Sequence, residues 1–378
     1  MIIGIIGSGA MGSGIAQVAA MAGDELRIFD NSRPAQTKAL QNIQESINKF
    51  VTKGILSASE GVAVIGRIYI CDHIDTMYDC DLVIEAIIED LATKKQLFQS
   101  LEKIVTKDCI IATNTSSFSI TSMAASLNHP ERCIGIHFFN PPVLMQLVEL
   151  IPAIQTKDDI TKKVKDIIEF WGKTDVVAKD TPGFIVNKVA RPFYSEAIRI
   201  FEEGISDTTT IDYAMTRHGF KMGPFKLMDF IGHDVNYRVT ESIWKAFYYD
   251  SKYRPSLTQL RLFEAGHFGL KSNRGFYIYP QNNELIHDTD DNVCDEIFLR
   301  IISMLVNEAA DTVHQNICSP QDVDLAVRLG VNYPKGLLAW GKEIGYGKIV
   351  NKLDQLFDLY HEERYRVSPY LKKLYQQN

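Results

Sequence analysis

A short apolar run, Ile2-Ile3-Gly4-Ile5-Ile6, leads straight into Gly7-Ser8-Gly9-Ala10-Met11-Gly12, and this juxtaposition restricts the fold of the 378-residue chain more tightly than any other feature. In a G-x-G-x-x-G turn the first glycine permits the tight reversal and the second lets backbone approach a pyrophosphate. The third lets the following helix pack on the strand, so that the helix N-terminus faces negative charge. An ordinary glycine-rich connection has the same composition, so the context decides. An Ala-rich helical stretch runs from Ser13 to about Met21, and a second strand, Leu26 to Asp30, ends on a carboxylate about 20 residues farther on. A carboxylate there accepts bonds from the adenine ribose hydroxyls and repels a 2′-phosphate. NAD is therefore expected rather than NADP, on Gly7, Gly9, Ala10, Met11, Gly12 and Asp30.

Further strands are expected at Leu82 to Ala86, Cys109 to Thr113, Cys133 to Phe138 and Leu147 to Ile151, with helical patterns between most of them. Such alternation predicts a Rossmann-type, doubly wound α/β sheet, largely parallel and covered on both faces. The long gap between Asp30 and Arg67 reads as a helix, a turn at Gly54 and a second helix. After Asp180-Thr181-Pro182-Gly183 the texture becomes all-α. Ile185, Val189, Phe193, Ala197 and Phe201 mark one helix face, and Pro192 is expected to kink that helix. An internal repeat follows: Ser195-Glu196-Ala197, Ile211-Asp212-Tyr213-Ala214, Gly223, Ile231-Gly232 and Tyr253-Arg254 return as Asn307-Glu308-Ala309, Val323-Asp324-Leu325-Ala326, Gly336, Ile344-Gly345 and Tyr365-Arg366. The expected organisation is a nucleotide-binding domain over 1–181 followed by two all-α helical modules in tandem, 182–280 and 290–378. The polar, turn-rich stretch from Tyr279 to Asp291 would link them.

With 46% hydrophobic and 23% charged residues the chain has apolar side chains enough for sizeable cores. A net charge of −7 without a Lys/Arg stripe argues against nucleic acid as a partner. Cys71, Cys80, Cys109, Cys133, Cys294 and Cys318 form no CxxC pair and no zinc-ligand spacing, so reduced thiols and no metal are expected. No apolar stretch approaches the ~20 residues that span a bilayer, and the first strand begins at Met1-Ile2 without room for a leader, so a cytoplasmic, membrane-free protein is expected.

His137 stands at the end of an apolar strand, in Gly135-Ile136-His137-Phe138-Phe139-Asn140-Pro141-Pro142, where the prolines turn the chain out of the sheet. Ligands of open α/β sheets bind at such carboxyl ends. A satisfied core histidine would look the same. Glu149, in the apolar strand Leu147-Val148-Glu149-Leu150, is costly unless paired, and the two together would make an oriented base. Ser116, in Asn114-Thr115-Ser116-Ser117, reads equally as a turn or capping hydroxyl, and Asn187 as a polar residue near a helix start. Jointly they would offer hydrogen bonds beside that base at a domain interface.

These segments, with Asp180-Thr181-Pro182-Gly183-Phe184-Ile185-Val186-Asn187, resemble the 3-hydroxyacyl-CoA dehydrogenase family in order and spacing from Met1 to about Tyr279. Asp250-Ser251-Lys252-Tyr253-Arg254-Pro255 resembles the bacterial 3-hydroxybutyryl-CoA members, and the duplicated helical module resembles the longer ones. The resemblance implies NAD-dependent interconversion of a 3-hydroxyacyl-CoA, such as 3-hydroxybutyryl-CoA or a related short-chain substrate, with its 3-oxoacyl form. His137 would be the base and Glu149 its orienting partner, with Ser116 and Asn187 bonded to the reacting oxygen. It further implies Glu89, Lys94, Asn140 and Lys271 on the cofactor and Lys53 on a phosphate of the acyl-CoA. At Arg274, before Gly275-Phe276-Tyr277, the chain departs from the family's usual small residue. In short members one helical module mediates dimerisation, so the tandem modules here imply an intrachain pseudo-dimer, as a monomer or within a homo-oligomer. The rival readings are a dehydrogenase of a free hydroxy acid or sugar acid, and a non-catalytic structural or NAD-sensing relative.

The strand-end carboxylate yields the first prediction. kcat/KM should favour NAD over NADP, and Asp30→Ala should narrow the ratio; an unmodified protein that uses NADP better would refute the reading of Asp30.

Overall fold

Residues 1–280 and 290–377 are described by a computed structural model, and the chain divides into two units, Met1–Thr181 and Pro182–Asn378. Among the described residues of the first unit, eight strands form one sheet: Ile2–Ile6 (β1), Glu25–Phe29 (β2), Ile68–Cys71 (β3), Leu82–Glu85 (β4), Ile110–Thr113 (β5), Cys133–Phe138 (β6), Leu147–Pro152 (β7) and Thr174–Val177 (β8). Their order is β3-β2-β1-β4-β5-β6-β7-β8, and every neighbouring pair is parallel except β6 and β7. Strands β4, β5 and β6 are buried along their whole length, as expected of strands covered on both faces.

Two strands escape a reading by apolar runs. Edge strands β3 and β8 are short and carry exposed residues such as Tyr69 and Val177, which dilute the signal. The helices are Ala10–Ala22 (α1), Arg33–Thr52 (α2), Ala58–Ile65 (α3), Leu91–Ile104 (α4), Ile120–Ala124 (α5) and Asp158–Phe170 (α6). Helix α1 begins at Ala10, three residues before the Ala-rich stretch suggests, because the glycine turn feeds directly into its first turn. Its Ile15, Ala16, Ala19 and Ala20 are fully buried, and the small side chains let the helix lie close against the sheet. The long gap after β2 holds α2 and α3, with Gly54 left-handed between them at φ 70°.

The second unit is helical. One set comprises Val186–Val189 (α7), Arg191–Glu202 (α8), Thr208–Thr216 (α9), Pro224–Ile231 (α10), His233–Ala246 (α11) and Leu257–Glu264 (α12). The other comprises Asp291–His314 (α13), Pro320–Gly330 (α14), Leu337–Ile344 (α15), Tyr346–Tyr360 (α16) and Pro369–Gln376 (α17). Helix for helix the second set repeats the first, except that α13 corresponds to α7 and α8 together. The expected kink at Pro192 is a complete break: α7 ends before Arg191 and the proline sits in the first turn of α8. In the second copy Met304 stands where Pro192 does, its N–H intact, and α13 runs unbroken. The face expected to run from Ile185 to Phe201 is buried only through Ala197, since Phe201 lies half-exposed at the helix end. Residues 281–289, most of the expected linker, lie outside the described residues.

Buried on nearly every side, α13 is the core of this unit and packs against α8, α9, α15, α16 and α17. Two reciprocal polar clusters cross between the copies. Lys188 Nζ donates to Glu308 Oε1 at 2.6 Å and Tyr253 OH donates to the same oxygen at 2.7 Å. At the matching positions Arg300 Nε donates to Glu196 Oε1 at 2.7 Å and Tyr365 OH at 2.9 Å. Residue i of one copy meets j of the other, and j meets i, as in a two-fold interface. Asp212 and Asp324 repeat a third feature, accepting backbone N–H bonds at the starts of α10 and α15.

The cysteines are free thiols, and burial pushes Cys80 and Cys109 up to about 12, far from reactive. No helix among the described residues is long and apolar enough to cross a membrane.

Burial pushes the Glu308 carboxyl up, but the Lys188 and Lys252 ammonium groups overcome it and hold it at about 2, against an ordinary 4.5. Lys188, which shares that one carboxylate with Lys252, is itself pushed down by burial. A depressed carboxylate contributes stability that is present above its unfolded pKa and lost as pH falls through the folded one. Denaturation midpoints should therefore fall between pH 4.5 and about 2, and Glu308→Gln should flatten part of that decline. Identical acid profiles for variant and wild type would remove Glu308 as its source.

Candidate active site

The sheet reverses its winding between β1 and β4, and a cleft of about 650 Å³ opens there, lined by Gly7, Gly9, Asp30, Ala86, Ile87 and Leu97 among others. Such switch points are where α/β sheets hold their ligands. Gly7 has φ 102°, and a Cβ on it would stand 2.5 Å from the Ala86 carbonyl oxygen; a Cβ on Gly12 would overlap the Gly7 carbonyl oxygen. Gly9, the N-cap of α1, faces open space instead, so a phosphate can approach the first backbone N–H groups of the helix. Asp30 is tied into the turn: its Oδ2 accepts from Ser8 N at 2.8 Å and Ser8 Oγ at 2.9 Å, and its Oδ1 from Ser32 N at 2.8 Å. Arg33, close by, is paired with Asp72.

His137 and Glu149 are directly opposite in the β6–β7 ladder. Their side chains share one face of the sheet, and His137 Nδ1 lies 2.7 Å from Glu149 Oε2, both residues buried. Antiparallel register alone makes this pair, since residues opposite each other have neighbouring Cβ atoms. Just past the strand, Asn140 is exposed and joined to Pro141 by a cis peptide bond. Lys173 Nζ donates to the carbonyl oxygens of Pro142 at 2.7 Å and Met145 at 2.8 Å, fixing the loop, and burial pushes its ammonium down to about 8.

Ser116 lies three residues beyond β5, whose Thr113 pairs with Gly135 of β6, so Ser116 and His137 leave the carboxyl ends of adjacent strands. Partly exposed, Ser116 donates its backbone N–H to Glu89 Oε1 at 3.2 Å. The same oxygen accepts from Ser117 Oγ at 3.0 Å and from Thr115 Oγ1. Partial burial pushes the Glu89 carboxyl up, but Lys94 and these donors hold it below the usual carboxylate range. Lys94 itself is 1% exposed, 2.6 Å from Glu85 Oε1 and 3.1 Å from Glu89 Oε2. The structure thus places the lysine beneath the site, its charge matched inside the protein.

Asn187 and Lys271 belong to the second unit. Asn187 sits partly exposed in the single turn of α7, and Lys271 forms an ion pair with Asp234. Lys53 caps the end of α2 and is exposed. The loop bearing Arg274 keeps its shape through backbone bonds with Gly269, while Asp229 accepts from Phe276 N and Tyr277 N.

Three contributors go unseen in the sequence reading. Glu85 binds Lys94, Thr113 Oγ1 and Ile87 N; its signal is a carboxylate closing the apolar strand Leu-Val-Ile-Glu. Asn114 accepts from Phe138 N at 2.8 Å, bracing the strand end beside His137. Asp180 accepts from Thr121 N at 2.7 Å and Ser119 Oγ at 2.9 Å, holding α5.

Known proteins resemble the chain along nearly its whole length. The model of the 3-hydroxyacyl-CoA dehydrogenase NAD binding domain matches residues 2–181, and that of the 3-hydroxyacyl-CoA dehydrogenase C-terminal domain matches 183–279 and 297–378. The 3-hydroxyadipyl-CoA dehydrogenase of Escherichia coli is 34% identical, with 98% of this chain and 96% of that protein covered. A 3-hydroxybutyryl-CoA dehydrogenase of Bradyrhizobium diazoefficiens is 39% identical over 73% of this chain and 94% of its own length. The crystal structure of an Escherichia coli 3-hydroxybutyryl-CoA dehydrogenase superposes with a TM-score of 0.95 at 33% identity, covering 100% of this chain and 98% of that one. Two models of one family, which together match nearly the whole chain, and a relative 34% identical over 98% of it lead to one conclusion: the chain belongs to the 3-hydroxyacyl-CoA dehydrogenase family.

Proposed function

We propose that this protein oxidises a short-chain 3-hydroxyacyl-CoA, with 3-hydroxybutyryl-CoA as its type, to the 3-oxoacyl-CoA with NAD, or runs the reverse reduction. The reading is carried by the His137–Glu149 pair at the carboxyl end of β6. The residues present fit the dinucleotide: Cβ atoms at Gly7 and Gly12 would collide with the backbone of Ala86 and Gly7 and open the turn, Gly9 leaves the helix N-terminus open, and Asp30 supplies the carboxylate at the end of β2. When bound, its nicotinamide accepts the hydride released from C3. Ala10 and Met11 at the start of α1, with Glu89, Asn140 and Lys271, complete the proposed cofactor contacts, and Lys94, buried and paired with Glu85 and Glu89, acts by holding Glu89 in place.

With Nδ1 engaged by Glu149, His137 Nε2 is the atom that takes the hydroxyl proton. Glu149 fixes the ring's tautomer and offsets the imidazolium charge that develops. Removing it from the buried ladder would leave that charge uncompensated. Ser116 and Asn187 donate hydrogen bonds to the reacting oxygen, and Lys53 meets a phosphate of the acyl-CoA. The two helical copies serve as an intrachain pseudo-dimer, so a monomer is self-sufficient, and the protein works in the cytoplasm on a small-molecule substrate.

His137→Gln should lower kcat for 3-hydroxybutyryl-CoA oxidation by at least ~10² while NADH binding, followed by fluorescence, stays nearly unchanged. Turnover like that of the wild type would remove His137 as the base.

A further inference from the structure

The reciprocal clusters of the second unit differ in what stands next to them. Lys188 follows Asn187, whereas Arg300, its counterpart, follows the buried Leu299. Helix α7, which carries Asn187, is a single turn and is too short to hold itself. Adjacent positions on a helix point about 100° apart, so Lys188 faces inward where Asn187 faces out. Lys188 is fully buried, and its Nζ donates to Glu308 Oε1 at 2.6 Å and Thr312 Oγ1 at 3.0 Å, both on α13. Glu308 is immobilised in turn by Tyr253 OH at 2.7 Å and Lys252 Nζ at 2.5 Å, and Thr312 Oγ1 donates to the Glu308 carbonyl oxygen at 2.8 Å. The turn packs on α13 and α14, and within the first copy Arg191 Nε donates to the Asn187 carbonyl oxygen at 2.9 Å and Arg191 Nη1 to Thr240 Oγ1 at 3.1 Å. Lys188 is thus the charged link between this turn and the second copy.

We propose that Glu308, although it belongs to the copy without a nucleotide-binding domain, is a positioning residue that sets the orientation of Asn187 through Lys188. The inference rests on the role given above to Asn187. Without the carboxylate the buried ammonium must find other partners, the turn rotates, and the Asn187 amide leaves its alignment with the reacting oxygen. A small misplacement of such a group suffices for a large loss of rate.

The Arg300–Glu196 pair supplies the control, since it too is buried but stands beside Leu299. In steady-state kinetics well below the melting temperature, Glu308→Gln should lower kcat roughly tenfold with the KM for NAD unchanged. Glu196→Gln should lower Tm comparably yet leave kcat within about twofold. If Glu308 acts through Asn187, the double variant Asn187→Ala/Glu308→Gln should be no slower than Asn187→Ala alone. Full kcat in Glu308→Gln, equal slowing by Glu196→Gln, or multiplicative losses in the double variant each overturn the proposal. Should Asn187→Ala keep full kcat, the role of Asn187 falls and the proposal with it; a slow Asn187→Ala beside a fast Glu308→Gln sinks the positioning claim alone. If Glu308→Gln does not fold, Thr312→Val removes the 3.0 Å bond from Lys188 and the hydroxyl's bond to the Glu308 carbonyl oxygen, and leaves the Lys188–Glu308 ion pair in place. It should give a smaller loss of kcat in the same direction, and an unchanged kcat there overturns the proposal.

Discussion

A carboxylate withdrawn from water has to meet a cation or a set of donors, and four such groups organise this protein. Glu85 and Glu149 close or cross strands of the sheet, and Glu196 and Glu308 lie inside the helical unit; all four are 1% exposed or less. Each is matched, by Lys94, His137, Arg300 and Lys188. Breaking such a pair by removing one partner typically costs about 3–5 kcal/mol, which is a large share of the stability of an ordinary domain. Such pairs contribute little net stability over apolar packing, so their value lies in fixing where particular side chains stand.

In the first unit this fixing is done by strand register. The one antiparallel pairing, β6 with β7, puts His137 opposite Glu149, and a slip of one residue would send the two side chains to opposite faces. Glu85 does the corresponding work one strand over from the glycine turn, steadying Lys94 and through it Glu89 and the segment around Ser116. The same apolar sheet that makes the carboxylates costly thereby aligns the strand ends on which the proposed chemistry depends. In the second unit the fixing is done by duplication. Only the first copy has a proline-broken helix and the partly exposed Asn187, while Glu308 of the other copy pairs with Lys188 beside it.

The glycine turn, the strand-end histidine and the costly glutamate were legible because each violates its local background: glycines where a helix should start, charge where an apolar strand continues. The repeat was legible through its spaced Glu, Asp, Gly and Tyr residues. Strands β3 and β8 were not, since short edge strands bury too little to show a period, and Pro192 suggested a bend where the chain has a break. Which cation would meet Glu85, or that Lys188 would meet Glu308 on the other copy, depends on tertiary pairing across long stretches of chain. Composition and spacing carry no record of that. Lys94 illustrates the same limit: its place in the motif is plain, but not that it lies buried between two carboxylates.

The most direct test of the whole account is to follow the hydride. Full-length protein is incubated with NAD and 3-hydroxybutyryl-CoA deuterated at C3, and the products are resolved by mass spectrometry and NMR. The account predicts one deuterium delivered to C4 of the nicotinamide for each 3-oxoacyl-CoA formed, with free 3-hydroxybutyrate far poorer as a substrate. Absence of label from the reduced cofactor, or equal turnover of the free acid, would contradict it.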